Sequence, residues 1–317
     1  MTVRFPAPLR PGDRVGVTSP SSGVERWEWS RLEHAAEAVR GRGYDVVIGA
    51  CMGGGSHVSA PAADRAEELM NMLTDPSIRA VVPPRGGETA IDLLPLLDWD
   101  VIAAAEPTWF VGFSDISTLL LPVTLRAGIA TLHTNNLMNT PYRVRGQLLT
   151  WLDVTALPVG ASFTQRGEGA WVRLDSDSAA DVTGRLIGGC IETVRHLAGT
   201  PYGDVARFGH EYGSEGLIVY VEAASDDAFA ICRSLHGMRL AGFFAEARAV
   251  LVGRTIAPDS STLTQRQAVL DALGGLGVPI IAEVGCGHVP PYLPIVNGAL
   301  GHLQISTGSA ALTQTLG

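Results

Sequence analysis

Thr108-Trp109-Phe110-Val111-Gly112-Phe113-Ser114-Asp115-Ile116-Ser117 is the stretch on which the reading of this chain turns. It reads as a buried apolar strand, a one-residue turn carrying a hydroxyl, and the start of a helix. Residues 116–125 continue that helix, with Leu119, Leu120 and Val123 at helical spacing. A serine held between a strand end and a helix start exposes its hydroxyl over the positive end of the helix dipole. The neighbouring backbone N–H groups can then stabilise a developing oxyanion. The strict G-x-S-x-G elbow pattern is not met, because Ile116 stands at the last glycine. Helix capping by Ser114 is the competing reading of the stretch.

Outward from this turn, strands and helices alternate. Residues 14–18, 44–48, 80–83, 109–112 and 129–132 read as strands, and residues 25–42, 62–73 and 90–97 as helices. Alternation predicts an α/β fold with a parallel sheet covered by helices on both faces. Ligands bind beyond the carboxyl ends of such strands, which is where Arg85-Gly86-Gly87, Ser114 and His133 fall. Between residues 139 and 181 the alternation lapses. A second α/β region follows, with Gly188-Gly189 read as a tight turn and a closing strand at 299–305. The predicted organisation is a Rossmann-like domain at 1–140, a crossover at 141–180 and a smaller α/β domain at 181–317.

Composition narrows the function classes. The chain has 317 residues with 23 Lys and Arg against 32 Asp and Glu, a formal charge of −9. That balance argues against nucleic acid or an anionic membrane as partner. No apolar run approaches the roughly 20 residues of a membrane span, and no secretory leader pattern opens the chain, so a cytoplasmic location is expected. The four cysteines, Cys51, Cys190, Cys232 and Cys286, are scattered without a C-x-x-C pair, which disfavours a zinc site or a disulfide framework. Cys286-Gly287-His288 offers two metal ligands without a second pair, so neither a metal nor a cofactor is expected. Gly53-Gly54-Gly55 lacks the spacing of a phosphate loop and reads as an ordinary loop.

Two further side chains follow strand ends. Glu222 closes the apolar run 217–221, where a carboxylate is costly unless paired. His288 lies in a glycine- and proline-rich loop, and histidine is the natural general base near neutral pH. Pairing with an arginine or capping the helix that begins at Asp226 for Glu222, and a structural or incidental role for His288, are the plainer readings. Ser114, Glu222 and His288 together supply the hydroxyl, acid and proton acceptor that nucleophilic acyl transfer needs. A backbone N–H from Gly86 or Gly87, with that of Asp115, can form the oxyanion hole. An ordinary strand-to-helix turn at the glycines, and an early-helix acid at Asp115, remain the alternatives.

The sequence resembles the serine-peptidase family of cytoplasmic LD-carboxypeptidases and microcin C self-immunity proteins, over most of its length. The resemblance is carried by Leu9-Arg10-Pro11-Gly12-Asp13 with Ser19-Pro20-Ser21, by Arg85-Gly86-Gly87 with 93–98, and by Gly112-Phe113-Ser114-Asp115. It continues through Gly184-Arg185-Leu186-Ile187-Gly188-Gly189, Glu222, and Gly287-His288 with 294–298. It implies a Ser114–Glu222–His288 triad, an oxyanion hole from Gly86, Gly87 and the Asp115 N–H, no metal, and a homodimer. The implied substrate is a small peptide or a peptidyl conjugate. Arg85 matches what carboxypeptidase members carry and can hold a substrate carboxylate, or serve as a structural ion pair. Glu88-Thr89 looks more like the immunity branch, in which an aromatic side chain stacks on a base. Trp171 lies in the corresponding region, where packing is the other reading. His133-Thr134-Asn135-Asn136 departs from the family's His-Gly-Pro pattern and is expected to border the pocket through His133 and Asn135. Acyl transfer to an amine acceptor, and a non-catalytic binding protein on the same fold, are the alternative functions.

Overall fold

The computed structural model describes residues 2–142, 148–167 and 170–317. Part of the crossover expected at 141–180 therefore lies outside the described residues. The first half runs β1 (Arg14–Val17), α1 (Trp29–Arg40), β2 (Asp45–Ile48), α2 (Ala62–Thr74), β3 (Ile78–Val81), α3 (Trp99–Ala104), β4 (Trp109–Gly112), α4 (Ser117–Ala127) and β5 (Thr131–His133). After α5 (Trp151–Thr155) come β6 (Ser162–Arg166), β7 (Val172–Arg173), β8 (Ala180–Cys190), α6 (Ile191–Val194), α7 (Val205–Tyr212), β9 (Leu217–Glu222) and α8 (Ala228–Leu240). The chain ends with β10 (Ala247–Gly253), α9 (Gln265–Leu273), β11 (Ile280–Val284), β12 (Ile295–Asn297), β13 (Leu300–Ser306) and β14 (Ser309–Thr315).

The fold is α/β with two sheets. The first has the order β12-β5-β4-β3-β1-β2, parallel throughout its N-terminal strands. The second has the order β6-β14-β13-β8-β9-β10-β11-β7, with a parallel centre and antiparallel flanks. Fully buried strands such as β4 (WFVG) and β9 (LIVYVE) read as continuous apolar runs because helices or the other sheet cover both faces. Late in the chain, β12 returns to pair antiparallel with β5, Ile295 opposite His133. Asn297 on β12 accepts from the Gly188 N–H (3.2 Å) and the Tyr220 hydroxyl (2.9 Å) of the second sheet and donates to Thr131 (3.1 Å) of the first. One apolar core runs through both sheets.

Three local expectations are corrected. Gly188-Gly189 is the extended end of β8 and not a turn. A Cβ on Gly188 would lie 3.0 Å from Tyr220 Cδ1, so the glycine serves close strand approach. The helix expected at 90–97 is a short 3-10 turn over Ala90–Leu93, and α3 follows it, capped by the Asp98 carboxylate accepting from the Asp100 and Val101 N–H groups. The strand at 299–305 has a hairpin partner, β14, that sequence patterning missed.

Candidate functional site

The β4-to-α4 turn holds Ser114 at φ 61°, a left-handed conformation that costs a non-glycine residue free energy. Its surroundings impose it. A Cβ on Gly112 would sit 2.7 Å from both Ile116 Cγ2 and Asn136 Oδ1, and Asn136 Oδ1 accepts from the Phe113 N–H at 3.2 Å. On the other side a Cβ at Gly86 would meet Ser114 Cβ at 3.0 Å, so the glycine loop lies directly against the serine. Asp115 ties these segments together. Its Oδ2 accepts from Ser21 Oγ (2.5 Å) and the Ala90 N–H (2.8 Å), and its Oδ1 from Thr118 Oγ1 (3.3 Å). Ser21 Oγ in turn accepts from the Thr89 N–H at 3.2 Å. The loop 86–89 is thus fixed from the first strand-to-helix turn as well as from the serine turn.

Glu222, at the end of β9, is completely buried. His288 donates through Nδ1 to its Oε2 at 2.8 Å. Two glycines make the room: a Cβ on Gly253 would lie 2.5 Å from Glu222 Cβ, and one on Gly287 would lie 2.6 Å from Glu222 Cδ. Burial pushes the Glu222 carboxyl up, but the nearby His133 and His288 imidazoles outweigh it and hold the group at about 2. Burial would lower His288, yet the hydrogen bond and charge of Glu222 raise it above its ordinary value. The imidazole packs on Phe113, ring centroids 4.7 Å apart, which places it beside the residue preceding Ser114. Among the described residues no hydrogen bond joins Ser114 Oγ to His288; such contacts are often long before substrate binds.

A cavity of about 240 Å³ opens at Ser114, lined in part by Gly87, Glu88, Thr118, Glu192, Arg195 and Asp226. Glu192 Oε1 accepts from the Ala224, Ser225 and Asp226 N–H groups at 2.8, 2.9 and 3.1 Å and so fixes the loop after Glu222. Arg195 Nη1 donates to Asp226 Oδ2 at 2.5 Å.

The other residues anticipated as substrate contacts do not line this cavity. Arg85 Nη1 donates to Glu28 Oε2 at 2.6 Å, so this cation already has a partner. His133 is 1% exposed and Asn135 4% exposed, both facing the interior. Trp171 is buried, its ring against Gly167. Among the described residues the cysteine whose ligand atom lies within 4.8 Å of those of both His288 and Glu222 is Cys190. Burial raises the Cys190 thiol well above its ordinary value, which disfavours the thiolate a metal needs. Sequence reading missed Asn136, Ser21 and Glu192 as braces of the site. The first two stood in loops already marked as strand-end loops, but their partners lie 23 and 94 residues away.

Two family models match the chain: an LD-carboxypeptidase N-terminal domain over residues 15–134 and an LD-carboxypeptidase C-terminal domain over 183–303. This chain belongs to the LD-carboxypeptidase family. As a family member it is a peptidase with relatives spread across bacteria. A Streptomyces coelicolor protein provisionally named a carboxypeptidase is 30% identical, over 97% of this chain and 95% of its own. A murein tetrapeptide carboxypeptidase of Pseudomonas aeruginosa is 28% identical over 70% of each chain. The microcin C7 self-immunity protein MccF in complex with aspartyl sulfamoyl adenosine shares the fold, with a TM-score of 0.80 at 21% identity over 98% of each chain. Within the LD-carboxypeptidase chain Ser114 and its glycine loop lie in the N-terminal match, while Glu222 and His288 lie in the C-terminal one.

Proposed function

We propose that this family member is a serine peptidase or amidase that cleaves an amide bond in a small peptide or peptidyl conjugate through an acyl-enzyme. The observation that carries the reading is the 2.8 Å bond between His288 Nδ1 and Glu222 Oε2, formed across 66 residues of chain beside a serine at φ 61°. Glu222 orients the imidazole and stabilises its positive charge. His288 Nε2 takes the Ser114 proton as the hydroxyl oxygen attacks the scissile carbonyl. Negative charge builds on the carbonyl oxygen within reach of the Asp115 N–H and the N–H groups of the Gly86-Gly87 loop. The tetrahedral intermediate collapses, the C–N bond breaks, and the imidazolium proton passes to the leaving amine. Water, deprotonated by His288, attacks the ester carbon, the C–O bond to Ser114 breaks, and the imidazolium returns its proton to the serine oxygen.

The proposed division near residues 140 and 180 puts the nucleophile on one unit and its acid and base on the other. Cytoplasmic location and homodimeric assembly belong to the same proposal and rest on the family resemblance. No helix among the described residues is long and apolar enough to cross a membrane. Two substrate classes follow from the relatives' names: murein peptides, and aminoacyl-nucleotide conjugates of the sort bound in the MccF structure. Arg85, His133, Asn135 and Trp171 drop out as substrate contacts in this proposal, because they are paired or buried.

The test is a screen of the purified chain with a murein tetrapeptide against aminoacyl sulfamoyl adenosines, alongside labelling by a fluorophosphonate. Release of an amine product with covalent labelling at Ser114 is expected. An unlabelled Ser114 with no hydrolysis of either class would leave a non-catalytic binding protein. Product trapped on an added amine instead of water would move the assignment to acyl transfer.

A further inference from the structure

Glu222 offers two oxygens in a fully buried site, and only one is satisfied. Oε2 accepts from His288, whereas Oε1 has no hydrogen-bond partner among the described residues. Facing Oε1 is His133, which is 1% exposed and whose two ring nitrogens are likewise unpartnered. Its Nε2 lies 3.7 Å from Glu222 Oε1, just beyond the roughly 2.7–3.2 Å of an ordinary N–H···O bond. An unpaired acceptor and an unpaired imidazole, both buried and pointed at each other, are unfavourable apart and favourable together. The pairing is also a junction between sheets, since His133 ends β5 in the first and Glu222 ends β9 in the second.

We propose that His133 is a positioning residue for the triad: it donates its Nε2 hydrogen to Glu222 Oε1 and so leaves Oε2 to His288. The inference rests on the triad proposed above. The carboxylate is then clamped between two imidazoles and cannot rotate away from His288.

The surrounding titratable groups leave this work to the histidines. From β9, Tyr220 meets the His133 ring edge-on at 5.2 Å, with its hydroxyl already given to Asn297. From the end of β8, the Cys190 thiol donates to Glu192 Oε2 at 3.2 Å. The loop after β11 adds Cys286 and His288. Burial raises both thiols and the phenol, so these stay neutral beside the carboxylate. Glu192 is a further carboxylate nearby, acting on Cys190 and His288. Removing a donor from Glu222 makes the Glu222–His288 pair more basic as a unit, so it holds its proton to higher pH.

The test compares wild type, His133→Phe and His133→Gln by the rate of fluorophosphonate labelling of Ser114 across pH. Phenylalanine keeps the ring volume without a donor; glutamine restores an N–H near the Nε2 position. For His133→Phe we expect about tenfold or slower labelling and an acid limb about half a unit or more higher, on the scale of one lost hydrogen bond. His133→Gln should recover most of both. A wild-type acid limb in His133→Phe, or no recovery in His133→Gln, overturns the inference. If His133→Phe does not fold, ¹⁵N-histidine NMR of the wild-type chain decides. The Nε2-protonated tautomer at His133, with a resonance that moves in Glu222→Gln, supports the clamp, and the Nδ1-protonated tautomer removes it. Failure of the wild type to label at all sinks the triad reading instead, and the NMR experiment does not depend on labelling.

Discussion

Gly287 and Glu222 are packed so closely that a Cβ on the glycine would lie 2.6 Å from the carboxyl carbon, and Gly287 adopts φ 96°. Both the space and the backbone conformation exclude a side chain there. Gly287→Ala should cost about 1–3 kcal/mol of stability through overpacking and strain. It should also push Glu222 away from His288, so turnover falls more than stability alone explains. Urea denaturation and steady-state kinetics on the same preparation check this.

Ser114 offers a sharper dissociation of stability from activity. Ser114→Ala removes the hydroxyl and should lower turnover by several orders of magnitude while the fold persists. Ser114→Gly should be equally inactive yet more stable than wild type, by about 1 kcal/mol, because glycine tolerates the left-handed turn. Normal turnover by either variant would refute the nucleophile assignment.

Asp115 has no proposed chemical step through its carboxylate, but it holds the glycine loop against the serine. Asp115→Ala strands the Ser21 hydroxyl and the Ala90 N–H, both of which it satisfies in the interior. A destabilisation of about 2 kcal/mol is expected, with Ser21→Ala milder at about 1 kcal/mol. Both should slow acylation even at saturating substrate, since the oxyanion donors shift, and raise KM, since Gly87 and Glu88 of the same loop line the cavity. Single-turnover acylation rates at saturating substrate measure this.

The Glu222–His288 pair sets two pH dependences. His288 is raised above its ordinary 6.5 and must be neutral to accept the serine proton. The kcat/KM profile should therefore fall on the acid side with a midpoint above 6.5. Stabilisation from charged His288 is fully present below 6.5 and is lost as pH rises through its folded value. Glu222 is depressed from 4.5 to about 2, so its contribution is present above 4.5 and is lost as pH falls towards 2. Urea midpoints between pH 3 and 8 should show both slopes in wild type and a flatter curve in Glu222→Gln.

Much of the site was legible along the chain because strand ends announce themselves. The run 108–117 carries a strand, a turn and a helix start within ten residues, so the place of Ser114 in that turn needed no tertiary information, although local pattern left helix capping open. Glu222 stood out as a charge ending a run of five apolar residues, where solvation is costly. Family resemblance then supplied the grouping that local pattern could not, since nothing local links 114 to 222 or 288.

Composition and periodicity by themselves determined the α/β alternation, the buried strands and the positions where reactive side chains leave them. Those are short-range consequences of burying apolar residues at period 2 or 3.6. Only the tertiary structure decided that Arg85 pairs with Glu28, that Trp171 is packed, and that His133 turns inward to Oε1 of Glu222. It also decided that β12 returns to the first sheet and that Asn136 braces the serine turn. Each of these is a pairing between distant segments. A side chain's partner there depends on which strands lie adjacent, and sheet order is set by the packing of the whole core.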